Sequence, residues 1–416
     1  MSRLVEAFVP PRLGTGFRWL LASSWTTNLA DGIRLAAGPL LVASLTRDPL
    51  LVSLAALLNW APPLVFGLYA GVLSDRLDRR RIVVVANVCR VAVVVALAVT
   101  LLTGTVTVGI ALAAIALLGT AEVFADNTSM TLVPMLVHRD DLAVANTRVQ
   151  TGFLTLNQLG GPPVGAALFT AGAAWPFVAE AVLVVVGVLL VTRVVLPPHG
   201  RAAEGRVRGG VRRDVVEGVR WTARHPAVGT LALTIFVFNV TFGAAWSVLV
   251  LYAGERLGLG AVGFGLLTTV SAIGGLVGTV SYGWITRRVS LGNVMRVGLV
   301  IETLTHLVLA LTTSAWVASA TFFVFGAHAF IWGTTSHTVR QRAVPTDLQG
   351  RVGGVYVLAV FGGLVAGSAV GGTLASAFGV TAPFWFAFAG SAVFLVLLWG
   401  RLTRIAHEDV PAQPST

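Results

Sequence analysis

The sequence predicts an all-α membrane protein with twelve transmembrane helices arranged in two pseudo-symmetric six-helix bundles. Three observations support this fold class: the composition, the number of apolar spans and a repeat across the middle of the chain. Of the 416 residues, 56% are hydrophobic and 11% are charged, and the mean hydropathy is +0.84. Soluble domains carry about 25% charged residues, so this composition is typical of a protein embedded in a bilayer.

Stretches of roughly 20 apolar residues are long enough to cross a bilayer as helices. We count twelve, at residues 17–45, 50–73, 82–103, 107–136, 145–172, 175–196, 228–253, 263–286, 292–313, 316–339, 352–377 and 382–403. An even number of spans places both termini on one side of the membrane. That side carries 25 of the 29 basic residues, whereas only Arg47 and Arg256 lie on the other side. Because basic loops face the cytoplasm, we expect cytoplasmic termini in a bacterial inner membrane.

The chain divides into three predicted regions. Residues 1–196 form an N-terminal six-helix bundle, residues 197–226 a cytoplasmic linker, and residues 227–416 a C-terminal six-helix bundle with a short tail. Valines recur every four residues within the linker, opposite arginines (Val211, Val215 and Val219; Arg212, Arg213 and Arg220). This pattern predicts an amphipathic helix on the anionic inner leaflet, and a solvated linker is the alternative.

A repeat relates the two predicted bundles. The segment Gly71-Val-Leu-Ser-Asp-Arg76 is echoed 212 residues later by Gly283-Trp-Ile-Thr-Arg-Arg288. Two six-helix halves in parallel orientation are typical of alternating-access carriers.

The loop between the second and third spans, residues 71–81, contains acids and arginines that cannot lie in hydrocarbon. Its sequence, Gly-Val-Leu-Ser-Asp-Arg-Leu-Asp-Arg-Arg-Arg, resembles the signature loop of major facilitator superfamily transporters, although Asp78 stands where that loop usually has glycine. The segments 131–146, 217–226 and 341–352 resemble the bacterial branch that includes macrolide and enterobactin-type siderophore exporters. The resemblance covers residues 17–403 and implies the major facilitator fold. Its position in the loop suggests that Asp75 latches the cytoplasmic gate; the gate residues are Gly71, Asp75, Arg76, Arg79 and Arg80.

Glycines four residues apart predict close helix packing. They occur in spans two, five, eight and eleven, as Gly67 and Gly71; Gly161 and Gly165; Gly274 and Gly278; and Gly363, Gly367 and Gly371. In the resembled superfamily these four helices form the contacts between the two halves. Span five also contains Gly161-Pro-Pro-Val-Gly165, a shortened form of an antiporter pattern, and its prolines predict a kink.

Ionisable residues at membrane depth are costly and mark functional sites. Asp31, Glu122 and Asp126 are the candidates for proton coupling, because a carboxylate that binds a proton on one side and releases it on the other is what antiport needs. Arg34 lies three residues after Asp31, so a closed ion pair without a transport role is the alternative for both. Superfamily architecture implies that helices 3, 6, 9 and 12 are peripheral, so Glu302 and His306 are expected to form a structural pair.

Further candidates line the expected cavity on spans one, four, seven and ten. They are the polar residues Arg34, Asn239 and His328 and the aromatic residues Phe124, Phe242 and Trp332. Aromatic rings offer flat apolar surface to a lipophilic or cationic substrate. Asn239 and His328 have alternative roles as an interhelical hydrogen-bonding residue and as a satisfied interior histidine.

These patterns together predict a secondary active exporter of lipophilic or amphiphilic, drug-like small molecules, of the multidrug-resistance type and driven by proton antiport. A dedicated exporter of an endogenous siderophore or antibiotic, a lysolipid flippase and a non-transporting membrane sensor are the alternatives. No catalytic arrangement points to an enzyme, and we expect no cofactor and no metal. The expected partners are the substrate, protons and anionic lipids but no nucleic acid, and we expect a monomer.

Overall fold

The computed structural model describes residues 11–195, 211–345 and 348–405. Within these ranges the chain folds into fifteen α-helices and one π-helical segment, Phe153–Gly160, which joins α5 to α6. The helices are α1 (Gly14–Leu45), α2 (Pro49–Arg76), α3 (Arg79–Leu102), α4 (Val108–Leu136), α5 (Leu142–Gly152), α6 (Gly161–Ala171), α7 (Trp175–Val191), α8 (Val211–Arg224), α9 (Pro226–Trp246), α10 (Leu249–Glu255), α11 (Ala261–Thr286), α12 (Leu291–Leu311), α13 (Ala315–Ala343), α14 (Gln349–Phe378) and α15 (Ala382–Ile405).

Nine helices in the described ranges are long and apolar enough to cross a membrane: α2, α3, α4, α9 and α11–α15. The other three predicted spans also form helices. Span one is α1, whose apolar character is interrupted by Asp31 and Arg34. Span five is divided into α5, the π-helical segment and α6, and span six is the 17-residue helix α7. The all-helical membrane architecture predicted from the sequence is therefore confirmed.

The chain divides into two compact units. The first comprises Met1–Arg47, Leu58–Arg206 and Gly260–Thr269, and the second comprises Asp48–Leu57, Val207–Leu259 and Val270–Thr416. In the first unit α1 packs against α6 and α7, and α3 packs against α4 and α7. In the second, α9 packs against α14, and α12 packs against α13 and α15. The segment Gly260–Thr269 at the start of α11 is grouped with the first unit, and the segment Asp48–Leu57 at the start of α2 with the second. The domain boundaries at residues 196 and 227 therefore stay a prediction.

Glycine stripes let helices approach closely in both units. A methyl group added to Gly161 or Gly165 on α6 would overlap the backbone of α1, and one on Gly274 or Gly278 would overlap the backbone of α13. The stripe on α14 (Gly363, Gly367 and Gly371) meets α9 in the same way. These contacts lie within a unit. Gly67 and Gly71 differ, because no described atom lies within 4 Å of the place where their methyl group would be.

The π-helical segment ends where the prolines of span five begin. Proline has no N–H and cannot complete the helical bond to the carbonyl four residues earlier. Pro162 and Pro163 stand at the start of α6, directly after the segment. The wider turn places Asn157 at a buried position, and its side-chain oxygen accepts a hydrogen bond from Gln158 at 2.7 Å. The predicted irregularity of span five is thus a change of helix type.

The linker forms helix α8 over residues 211–224, as its periodicity predicts. Gly218 packs against the backbone of Arg351 at the start of α14, and Glu217 pairs with the Arg351 guanidinium at 3.3 Å. Val216 and Val219 stay exposed to the surroundings. The apolar residues of the linker therefore do not all share one covered face.

Candidate functional site

A buried network of charged side chains lies inside the first unit. Four helices supply its members: Asp31 and Arg34 on α1, Arg90 on α3, Glu122 on α4 and Glu180 on α7. These residues come together because α1 packs against α7, and α3 packs against both α4 and α7. Ionised groups removed from water need partners, and here the partners come from different helices.

Arg34 connects three elements of this network. Its guanidinium donates a short hydrogen bond to the Glu122 carboxylate and lies 3.4 Å from Glu180, measured from Nε to Oε1. It also donates to the side-chain oxygen of Asn59 on α2 at 3.2 Å. The Oδ1 atom of Asp31 is more distant, at 4.0 Å. Arg34 and Asp31 do not form a closed intrahelical pair, because each has a nearer partner on another helix.

Arg90 is that nearer partner for Asp31. Its guanidinium donates a short hydrogen bond to Asp31, a 3.1 Å bond to the side-chain oxygen of Asn87, and lies 3.9 Å from Glu180. Asn87 in turn donates to the backbone oxygen of Val83 at 3.0 Å, which fixes the orientation of its amide. Arg90 is completely buried. It therefore joins α3 to α1 at the centre of the unit.

Glu180 interacts with the two arginines through charge and without a hydrogen bond in the described residues. It is completely buried and lies near both guanidinium groups, yet neither of its carboxylate oxygens has a hydrogen-bond partner among the described residues. Sequence reasoning did not single out Glu180, because it lies only five residues after the start of α7. It also assigned no role to Arg90, although a lone arginine in the middle of a span was a usable signal.

The carboxylates of the network differ in their access to the surroundings. The Glu122 side chain is 26% exposed, whereas those of Asp31 and Glu180 are 6% and 0% exposed. Asp126, one turn further along α4, is exposed, and its charge acts on those of Glu122, Asp31, Arg90 and Arg34. Of the two carboxylates on α4, Glu122 contacts the network directly, whereas Asp126 interacts with it through charge.

A second buried cluster lies in the other unit. Glu302 on α12 contacts His306 one turn away, with 2.9 Å between Oε1 and Nε2, and approaches His328 on α13, with 3.5 Å between Oε2 and Nε2. Gly298 leaves room for this approach, because a methyl group there would meet His328 and Trp332. The predicted structural pair of Glu302 and His306 is therefore joined by the cavity candidate His328.

The aromatic residues of α9 and α13 form a continuous stack beside this cluster. Phe242 stacks on Trp246 at 4.3 Å between ring centroids and on Phe325 at 5.7 Å. Phe238 stacks on Trp332 at 5.9 Å, with the ring planes 9° apart. Trp332 itself is only 2% exposed. The accessible aromatic surface is therefore on α9, where Phe238, Phe242 and Trp246 are partly exposed, rather than at Trp332.

The remaining cavity candidates make local contacts. The side-chain amide of Asn239 donates to the carbonyl of Ile235 in its own helix at 2.7 Å, so this hydrogen bond does not bridge two helices. Phe124 lies in the first unit, 6.2 Å from Phe66 between ring centroids.

The charged loop is held by the chain itself. Asp78, at the departure from the usual glycine, caps α3 by accepting a hydrogen bond from the backbone N–H of Arg81 at 3.1 Å. Arg79 donates to the carbonyl of Ser74 at 3.0 Å, and Arg80 donates to that of Thr192 at 2.6 Å. The side chains of Asp75 and Arg76 lie outside the described residues, so the latch function of Asp75 stays a prediction.

The described residues offer no group of three or more His, Cys, Asp or Glu arranged to hold a metal ion. The fold is shared with solved transporters. The nucleoside transporter NupG matches with a TM-score of 0.71 and 14% identity, over 95% of this chain and all of that chain. A bacterial homologue of the iron transporter ferroportin in the inward-facing state matches with a TM-score of 0.71 and 17% identity, over 98% of this chain and all of that one. The described residues thus have the fold of these multi-pass membrane transporters.

Within that class the chain belongs to the transmembrane secretion effector family, whose model matches residues 6–415. The multidrug efflux pump Tap of Mycolicibacterium fortuitum is 28% identical, over 95% of this chain and 97% of that protein. The enterobactin exporter EntS of Citrobacter koseri is 25% identical, over 87% of this chain and 85% of that protein. The resemblance to efflux transporters and siderophore exporters is therefore confirmed.

Proposed function

We propose that this transporter exports a lipophilic or amphiphilic small molecule across a bacterial inner membrane in exchange for protons, with both termini in the cytoplasm. Glu122 is the group that exchanges the proton. The observation that carries this assignment is the charge of the network in the first unit. It contains three carboxylates (Asp31, Glu122 and Glu180) and two guanidinium groups (Arg34 and Arg90).

A network with one carboxylate too many is balanced when one carboxyl group binds a proton. Excess charge in a low-dielectric interior is unfavourable, so the protonated and deprotonated networks differ greatly in their preferred surroundings. Glu122 is the member that a proton reaches most easily, because Asp31 and Glu180 are almost fully covered. With Glu122 neutral, the two remaining carboxylates balance the two arginines.

Arg34 transmits this change to other helices. It pairs with Glu122 on α4, approaches Glu180 on α7 and bonds to Asn59 on α2. When Glu122 takes a proton, its attraction for Arg34 falls, and the guanidinium keeps its contacts to Glu180 and Asn59. Proton binding on one helix thereby changes which helices Arg34 holds together, which is the kind of two-state element that alternating access requires.

The relatives support an exported substrate of drug or siderophore type. A partly exposed aromatic surface on α9 favours a flat lipophilic molecule. A dedicated siderophore exporter is the second candidate, because one relative is an enterobactin exporter. Ethidium, a planar aromatic cation, and enterobactin are therefore suitable test substrates, and active extrusion of enterobactin but not of ethidium would favour the second candidate.

The energy source can be tested in cells that extrude the better of the two compounds. A protonophore that collapses the proton gradient should abolish extrusion, while removal of the sodium gradient should leave it unchanged. Cells that express Glu122→Gln, which is expected not to extrude the compound, show the background loss of the compound from the cells. Extrusion that survives the protonophore and stops without sodium would contradict proton antiport.

A further inference from the structure

The second unit contains a buried ionisable cluster that the proposed coupling at Glu122 does not use. Glu302, His306 and His328 are between 0% and 4% exposed and come from two helices. Glu302 Oε2 and His328 Nε2 face each other at 3.5 Å, and His306 Nδ1 and Trp332 Nε1 have no hydrogen-bond partner among the described residues. Buried polar atoms are normally paired, so a carboxylate that faces two histidines beside unpaired donors and acceptors is a candidate proton-binding site.

The charged and titratable groups on the helices around Glu302 bear on the net charge of the cluster. Helix α9 contains no ionisable residue, and α15 contains none before Arg401. The other charged or titratable groups on α12 and α13 are Arg296, His337, Arg340 and Arg342, and α14 contributes Arg351 and Tyr356. Arg296 lies over Trp399 and Arg340 over Tyr356. The ion contacts of Glu302 given by the structure are those with His306 and His328. The charge of the cluster therefore depends on its own protons.

Gain or loss of one proton changes the net charge of this cluster. With both histidines neutral, an ionised Glu302 gives it a net negative charge, and one proton on a histidine neutralises it. The ring of His328 lies 6.1 Å from Phe238 and 6.1 Å from Phe325, measured between centroids. The change in charge therefore occurs next to the aromatic stack.

We propose that Glu302, His306 and His328 form a second proton-binding site, and that loss of its proton holds an aromatic cation on the surface of Phe238, Phe242 and Trp246. These three residues follow one another at intervals of four on α9 and so share a face of the helix. Aromatic faces attract cations, and a buried negative charge behind them strengthens that attraction. The exchange is balanced, since one proton leaves as one positive charge arrives. The inference deepens the proposed function by naming a substrate class and a second coupling group.

Ethidium binding to the purified full-length protein in detergent tests this inference without requiring transport. The background should be Glu122→Gln, so that the proton of the first network is not counted. In weakly buffered solution at about pH 6, ethidium binding should release protons, and its Kd should be several-fold lower at about pH 8 than at about pH 6. Adding Glu302→Gln should abolish the proton release and remove the pH dependence of Kd. Phe242→Leu should weaken binding at both pH values.

His337→Gln is the matched control, because this histidine lies on α13 but is exposed, and it should behave like the background. If Glu302→Gln does not yield monodisperse protein, His328→Asn should give the same loss of proton release. Unchanged proton release and pH dependence in these variants would overturn the second site, as would a background protein that does not bind ethidium. Either result leaves proton coupling at Glu122 to be judged by uphill transport, so the two proposals fail separately.

Discussion

The two buried clusters of this transporter stand at corresponding places in the sequence repeat but are built from different chemistry. In the first unit the third span supplies Arg90, which joins two carboxylates and an asparagine. In the second unit the corresponding span supplies Glu302, 212 residues later, the interval that also relates Gly71 to Gly283. A cation is central in one half and an anion in the other.

This difference indicates how duplicated halves can divide their tasks. The first cluster has permanent positive charges, because arginine does not lose its proton in proteins, so only its carboxylates can change state. The second has no permanent charge, because it consists of one carboxylate and two histidines. We therefore propose that the first cluster is a frame of fixed charges with one exchangeable proton, and that the second changes its charge through its own protons.

The largest predicted loss of folding free energy comes from removing Arg90 from the first cluster. Arg90→Met removes the nearest partner of Asp31 and one of the two arginines beside Glu180. The loss of one member of a buried ion pair costs about 3–5 kcal/mol. Unfolding of the purified protein in mixed micelles, followed by tryptophan fluorescence, should show this loss. His306→Gln in the second cluster should cost only about 1–3 kcal/mol, because it removes one hydrogen-bond partner of Glu302 and no permanent charge.

A double variant checks the cause. Adding Asp31→Asn to Arg90→Met should restore part of the lost free energy of unfolding, since it removes one of the stranded charges. Strictly additive losses would contradict the direct pairing of Asp31 with Arg90.

A smaller effect is expected from the packing that brings the cluster helices together. Gly165→Ala in the first unit and Gly278→Ala in the second would overlap facing backbone, and overpacking of this kind costs about 1–3 kcal/mol. Gly67→Ala is the matched control, because the space around it is open. It should be neutral or stabilising by up to about 1 kcal/mol, as alanine favours helix over glycine. Equal losses for all three variants would contradict the described packing.

The sequence predicted the fold well because bilayer crossing leaves a strong local signal: each span is long, apolar and bounded by charge. It predicted Asp31, Arg34 and Glu122 as site candidates because ionisable residues are conspicuous in such spans. It could not predict their partners, since pairing depends on which helix faces meet. Arg90 and Glu180 lie on helices assigned to the periphery, and only the packing of α3 and α7 places them beside Arg34 and Asp31.

Aromatic residues show the same limit. Trp332 and Phe242 were grouped as substrate surface from their helix positions, but Trp332 is covered by Phe238 whereas Phe242 stays partly exposed. Periodicity identifies residues that share a face of one helix. It does not identify what a neighbouring helix covers.

The smallest predicted effect concerns the charged loop, where the halves differ again: Asp75 of the first corresponds to Arg287 of the second. Asp75→Asn should lower the export rate about fivefold at unchanged folded yield, the effect of losing about 1 kcal/mol of gate closure. Asp78→Asn should keep the export rate, because asparagine also caps a helix. Normal export by Asp75→Asn would show that Asp75 only anchors the loop.

The central claim is that Glu122 exchanges the proton that drives export, and uphill transport by Glu122→Gln tests it most directly. Proteoliposomes with an imposed pH gradient should be compared with proteoliposomes given only a substrate gradient, using the substrate that the wild type transports. Asp140→Asn is the control, because this carboxylate lies in the loop after α4 and its side chain is 89% exposed. We predict that Glu122→Gln equilibrates substrate downhill but does not accumulate it, while Asp140→Asn accumulates it like the wild type. Accumulation by Glu122→Gln at the wild-type level would contradict the account.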